Sequence, residues 1–187
     1  MPATWAVGVW RDPVPIAVQS YATIRLHDAW ARFCRALVLL SGRGRVITLG
    51  GTYVPCSPIT AQGQSVLAAL RSTYPQKRQT HIVWEPRWFD PAEAIDAANR
   101  LRVGNFPTIS AGLGVTGYAV DDLRACRNFL VHRNETTYHR VDYLRARLGV
   151  GTSASVEELL NAKITGGAVL FHVWCAELLQ RASLASQ

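Results

Sequence analysis

Apolar and aromatic side chains recur three and four positions apart at Ala22, Leu26, Trp30, Phe33, Leu37 and Leu40, in a stretch from Ile16 to Leu40 that holds neither Pro nor Gly. That period puts them on one face of a long helix, which Gly42 should end. The next segment, Arg45 to Val54, has two short β-prone runs around Gly50-Gly51, a pair that readily supplies the positive φ of a tight turn. It predicts a small hairpin inserted at about residues 43–56. Thr60 to Tyr74 carries Val66, Leu67 and Leu70 on one side and predicts a second helix; beyond Pro75, His81 to Trp84 reads as extended. Asp90-Pro91-Ala92-Glu93 combines a capping acid, Pro at the first helical position and a second acid in the first turn, so a helix should run to about Val103 and stop at Gly104. Asn105 to Gly117 reads as a glycine-rich loop. Tyr118 to His132 has Val120, Leu123, Cys126, Leu130 and Val131 at helical spacing, and a turn-rich junction leads to a helix over Tyr138–Leu148. Ser155-Val-Glu-Glu158 is a capping box that should launch a last helix to about Leu184. The expected fold is mostly all-α: a bundle of five or six helices in one domain, residues 1–187, with its core at about 16–184 and no internal repeat or low-complexity tract.

With 187 residues, 49% of them hydrophobic and 18% charged, the composition excludes a disordered chain. A domain of this length buries about 70% of its unfolded surface and needs no metal or disulfide framework. Cys34, Cys56, Cys126 and Cys175 are far apart, without a Cys-x-x-Cys pair or Cys/His grouping of zinc spacing, and read as reduced thiols. No cofactor or metal is therefore expected. The first ten residues lack the basic start and apolar run of a signal peptide, and Gly166–Leu179 is too short and polar to span a bilayer. The expectation is a soluble, cytoplasmic protein.

Charge changes the picture. Twenty Lys+Arg against 13 Asp+Glu leave +7, and 18 of those cations are Arg. Arg is a flat, permanently charged fork suited to phosphate, so an anionic polymer is a natural partner; a coding bias in the source would give the same count. Between Arg124 and Arg147 six arginines (124, 127, 133, 140, 145, 147) face only Glu135 and Asp142, and His132 and His139 add charge below neutral pH. Within this segment stands Arg127-Asn128-Phe129-Leu130-Val131-His132. RNA cleavage without metal needs a group that moves a proton near pH 7 and a fixed cation that stabilises charge building on the phosphate, with the ribose 2′-hydroxyl as internal nucleophile. His132 and Arg127 have the chemistry for these roles, leaving a 2′,3′-cyclic phosphate and a 5′-hydroxyl. Asn128, one helical turn before His132, shares its face and is placed to orient the imidazole or bind a phosphate oxygen.

The string Arg127-Asn128-x-x-x-His132, with four residues between Arg and His, resembles the signature of the HEPN superfamily. The order of predicted helices, with a long first helix and the motif late in the chain, is similar to that family over residues 16–184 in outline. The resemblance implies a metal-independent endoribonuclease acting as a homodimer, with Arg and His of both subunits in one cleft. It also implies a toxin–antitoxin or other antiviral defence setting, with an antitoxin or defence-complex protein as a possible partner. Carried over, Arg127 and His132 are catalytic and Asn128 supportive, with Arg124, Arg133 and Arg140 tracking the RNA backbone. An ideal helix sets residues five apart about 140° around its axis, so a composite cleft or a distorted helix end is needed to join Arg127 and His132. A subgroup of the family carries a modified Tyr two places after the His; here that place holds Asn134, so AMP transfer onto the chain is not implied. The alternative is a non-catalytic module that grips RNA or a protein with the same basic helix.

Other features have competing readings. Gly112-Leu-Gly114-Val-Thr-Gly117 is a literal G-x-G-x-x-G before a helix, yet no strand and helix repeat surrounds it, so it reads as a connector with a local phosphate-holding role still open. His27 beside Asp28 reads as a satisfied half-buried histidine or a supporting acid–base pair, and His172 as structural. Asp121 and Asp122 either steer Arg127 or complement the helix dipole. The tryptophans read as core anchors, with base stacking open for Trp84 and Trp88.

Overall fold

The computed structural model describes residues 16–48, 50–60, 64–74, 84–164 and 166–187. Among them are eight helices: α1 (Ile16–Gly42), α2 (Val66–Ser72), α3 (Pro91–Leu101), α4 (Phe106–Leu113), α5 (Ala119–His132), α6 (Glu135–Leu148), α7 (Val156–Leu160) and α8 (Leu170–Ala185). The chain is mostly helical as expected, but with eight helices among the described residues where five or six were expected, because α4 forms in the supposed loop and the last helix divides into α7 and α8. The extended reading of His81–Trp84 falls mostly outside the described residues; the helix expected from Thr60 starts later, at Val66 with Ser65 as its cap, and residues 61–63 lie outside the described residues.

α1 is the spine, packed against α5 and α3, with α2, α7 and α8 at its flanks. Its buried line runs through Thr23, His27, Trp30, Cys34, Leu37, Val38 and Ser41. Trp30 and Leu37 face inward as expected, but Leu40 is exposed, so the face is turned by about one residue from the purely apolar stripe. The consequence is chemical: towards its N-terminal half, α1 offers Thr23 and His27 to the interior instead of hydrocarbon.

α3 starts as the sequence dictates, with Asp90 accepting from Ala92 N–H at 3.1 Å and Pro91 in the first turn. It stops earlier than expected, because Arg102, not Gly104, takes the left-handed conformation at φ 51°. The region 43–56 forms one antiparallel bridge, Ile47 to Tyr53, closed by Gly51 N–H to Thr48 O at 2.8 Å, with Gly51 at φ 78°. Among the described residues the expected hairpin is reduced to this single bridge, with no longer strand pairing.

Two expectations are overturned. The supposed loop from Asn105 contains α4, a helix launched with Pro107 in its first turn and packed on α8. Gly112 is inside it because a Cβ there would meet the backbone of Ala185, so that glycine marks a close helix crossing and not flexibility. The Ser155 capping box forms, with Ser155 Oγ accepting from Glu158 N–H at 3.1 Å, but the helix it launches ends at Leu160. Gly166 and Gly167, at φ 91° and 78°, lie in a turn closed by an antiparallel bridge of Lys163 with Val169, and α8 starts afresh at Leu170. The fifth-to-sixth junction is also tighter than expected: only Arg133 and Asn134 separate α5 from α6.

The core gathers Val38, Leu70, Leu101, Ile109, Leu113, Leu123, Val141, Leu159, Leu160 and Trp174 around α1 and α5. Trp30 donates to Phe89 O at 3.1 Å and Trp88 to Glu85 Oε2 at 2.8 Å. Trp88 is buried and Trp84 is half-buried, tilted on Tyr74 at 4.5 Å between centroids, so both serve packing.

Candidate functional site

All three motif residues lie on α5, whose inner side is filled by Val120, Leu123 and Cys126. That packing leaves the remaining arc for polar side chains. Arg127 and Asn128 are half-buried, and Arg127 Nη1 donates to Asn128 Oδ1 at 3.2 Å. His132 is exposed in the last turn. Directly after it, Arg133 adopts the left-handed conformation at φ 39°, and Asn134 caps α6 by accepting from Thr137 N–H at 3.0 Å while Thr137 Oγ1 accepts from Asn134 N–H at 3.1 Å. The chain thus reverses immediately beyond the imidazole, and the reversal is held by a reciprocal cap.

The arginines sort by their partners. Arg124 pairs with Asp121 at 3.0 Å and lies over the Phe89 ring at 5.8 Å; Arg147 pairs with Asp122 at 2.5 Å; Arg145 is buried with Asp142 at 3.8 Å. Arg127, Arg133 and Arg140 have no carboxylate partner among the described residues. Asp121 and Asp122 therefore neutralise Arg124 and Arg147 instead of steering Arg127. Burial pushes the Asp122 carboxyl upward, against the downward pull of Arg147 and Trp174.

Two of the clefts beside α5 include its Arg124. One, of about 660 Å³, runs along Phe89, the 113–118 segment and Arg124; the other, of about 490 Å³, lies between α5 and α6 and is lined by Tyr118, Arg124, His139, Arg140, Tyr143 and Arg147. Neither is lined by Arg127 or His132. Arg124 and Arg140 thus share a cleft with two strongly exposed tyrosines, Tyr118 and Tyr143. The sequence signal for these rings was available, since arginines interleave with tyrosines along α6, but it carries no distinctive spacing. Arg133, on the turn, lies apart from both clefts.

The glycine string is explained without phosphate. Gly112 admits Ala185, and at Gly117 a Cβ would strike the Glu177 carboxylate. That carboxylate accepts from Ala119 N–H at 3.3 Å and is held by Arg181 at 2.7 Å, so the N-terminus of α5 already has its anion.

His27 differs from the expected satisfied histidine. It is 7% exposed, and among the described residues neither ring nitrogen has a hydrogen-bond partner; Asp28 Oδ1 lies 3.7 Å from Nδ1. Its ring lies 5.1 Å from that of Phe89. Burial and then the Arg127 charge push its pKa below the ordinary histidine value, against the upward pull of Asp28, and so favour the neutral imidazole. The buried thiols of Cys34 and Cys126 are pushed up to about 12, whereas Cys56 is exposed; all four cysteines are free.

Among the described residues no group of three or more His, Cys, Asp or Glu has the arrangement of a metal site, and no helix is long and apolar enough to cross a membrane. Comparison of the chain with protein-family models, curated proteins and solved structures finds no match. What fold and site define together is a helical bundle presenting an Arg-Asn pair and an exposed His on one helix.

Proposed function

We propose that this protein is a metal-independent endoribonuclease of the HEPN kind, cleaving RNA by 2′-hydroxyl attack to give 2′,3′-cyclic phosphate and 5′-hydroxyl ends. The observation that carries this reading is the state of the motif on α5: among the described residues Arg127 is paired with no carboxylate and is held by Asn128, and His132 is open to solvent about one turn beyond. A guanidinium without a counter-ion is available to a phosphate, and an exposed imidazole is available to protons. Arg127 stabilises the charge developing on the phosphorane-like transition state, Asn128 orients that guanidinium, and His132 transfers the proton. Arg133 and Arg140 contact the backbone, whereas Arg124, for which the same role was expected, is paired with Asp121. Because Arg127 and His132 diverge around the helix axis, the working cleft is composite, built by a homodimer in which each chain supplies part. A toxin–antitoxin or defence role, with a protein that restrains or recruits the dimer, fits such an activity.

A second reading has one observation in its favour. Among the described residues no hydrogen bond orients the His132 ring, as suits a surface that binds RNA or protein without cutting it. Incubating purified protein with end-labelled RNA in excess chelator separates the two. Cyclic-phosphate products are expected from the wild type, with His132→Ala and Arg127→Ala each reducing the rate about 10²- to 10⁴-fold. RNA binding without cleavage by the wild type selects the binding module, and cleavage surviving both substitutions sinks the nuclease assignment.

A further inference from the structure

The cleft between α5 and α6 lies beside the Arg127-Asn128-His132 motif without including it. The two helices reverse at Arg133-Asn134 and are tied at their far ends by the ion pair of Arg147 with Asp122, so His139 and Arg140 line the end of the cleft nearer the motif and Tyr118 the end away from it. On α6, Arg140, Tyr143 and Arg147 recur three and four positions apart and share the face that lines the cleft. Leu144 is buried and Ala125 half-buried, which gives an apolar floor, while the rings of Tyr118 and Tyr143 remain 67% and 73% exposed. Tyr118 is supported from within the chain: Arg147 lies over its ring, 4.1 Å from the centroid, and is itself fixed by the buried Asp122. Asp121 is taken by Arg124 at 3.0 Å, so both carboxylates lining the cleft are neutralised by arginines that also line it. His139 stands 3.7 Å from Glu135. Arg140 is exposed and, among the described residues, has no carboxylate partner.

We propose that this cleft holds one unpaired nucleotide, its base stacked on the exposed tyrosine rings and its phosphate on Arg140. A nucleotide joins a flat ring system to an anion, and bare aromatic rings beside an unmatched guanidinium recognise that combination. A purely apolar ligand would leave Arg140 unused, and a simple phosphate would leave the rings uncovered. The volume of about 490 Å³ falls in the range of small-ligand sites, about 300–1,000 Å³. A base inside a duplex is already paired and stacked, so the cleft selects single strands, and it does so with little preference among bases because each has a π-face. The same chemistry is offered by a free mononucleotide. As a subsite for a strand, the cleft deepens the ribonuclease reading and rests on it for the identity of the polymer; the nucleotide site does not depend on cleavage. Ala125 and His132 are seven residues apart, about 10 Å along α5. The nucleotide held here is therefore a neighbour of the scissile linkage, with Arg140 on the side towards the motif.

Single-stranded RNA with 2′-O-methyl riboses has no free 2′-hydroxyl and so reports binding without cleavage. In fluorescence anisotropy with such a labelled strand, Tyr143→Ala is expected to weaken binding about 5- to 100-fold and Tyr118→Ala in the same direction, while Tyr143→Phe, which keeps the ring, stays within about twofold of the wild type. Binding of the same sequence as a duplex should be indifferent to these substitutions. Competition with adenosine 5′-monophosphate separates the two sources: displacement of the strand assigns the site to free nucleotides as well, and no displacement assigns it to the strand. A strand carrying 4-thiouridine supplies a measurement on the unmodified protein, and its photochemical cross-links should fall on the Tyr118 and Tyr143 peptides. Unchanged affinity in the Tyr118→Ala/Tyr143→Ala double variant, cross-links wholly outside this cleft, or a wild type that binds neither strand nor mononucleotide overturns the proposal. Ring-dependent binding by a protein that does not cut RNA sinks the nuclease reading and leaves this site standing. Chelator-resistant cleavage with ring-independent binding does the reverse.

Discussion

At Gly112 an added methyl would land against the α8 backbone, with its Cβ 2.5 Å from Ala185 Cα. Alanine is the better helix former by about 1 kcal/mol, so propensity alone predicts that Gly112→Ala stabilises α4. The steric term is larger, since overpacking a tight crossing costs about 1–3 kcal/mol. Gly112→Ala is therefore expected to destabilise by about 1–2 kcal/mol net, measurable by urea denaturation; a stabilised variant would show that α4 and α8 separate freely. The same residue shows why reading a glycine from sequence alone misleads: a loop and a close crossing ask for the same absence of a side chain. His27 was harder still. Its burial beside Asp28 is suggested by its place in a helical pattern, but nothing local reveals that Arg127, a hundred residues on, lies across from it. Arg127, Asn128 and His132 stood out because they sit together within six residues, where no long-range information is needed.

Elements that begin with a chemical signal were legible, and those that end by tertiary context were not. Asp90-Pro91 and Ser155 with Glu158 form the caps their spacing dictates. The end of α7 at Leu160 follows from the turn around Gly166 and Gly167, whose positive φ values a sequence pattern tolerates but does not require. The helix thought to start near Tyr138 starts at Glu135, since Asn134 and Thr137 make a capping box with Thr in place of the usual Glu or Gln. Asn134→Ala removes the acceptor of Thr137 N–H and should cost about 1 kcal/mol. Because this cap fixes the reversal just after His132, hydrogen exchange should quicken in the first turn of α6 while the amides of α1 and α8 are unaffected. Protection lost throughout the molecule instead would mean that the α5–α6 corner is part of the global folding unit.

For the molecule as a whole, the +7 charge overstates what is free to meet an anion. Arg35, Arg87, Arg100, Arg124, Arg147 and Arg181 are all bound to carboxylates of the same chain. Along α5, α6 and the turn between them, Arg127, Arg133 and Arg140 lack such a partner among the described residues. If these three meet RNA phosphates, log affinity for single-stranded RNA should fall with log salt concentration at a slope of about −2, near 0.7 for each phosphate neutralised. Fluorescence anisotropy against a salt series measures it, and Arg140→Gln should shallow the slope by one phosphate's worth; a slope near zero would exclude backbone recognition by this face. Glu177 gives α5 a polarity opposite to that of nucleotide-binding helices. Its carboxylate stoppers the amide end of the helix, so any anion that α5 recognises is met towards the other terminus, where peptide carbonyls point outward and repel anions. On the proposed function, phosphate selectivity there owes nothing to the helix backbone and comes from side chains, the guanidinium groups foremost, which makes that terminus sensitive to arginine methylation or to exchange of Arg for Lys.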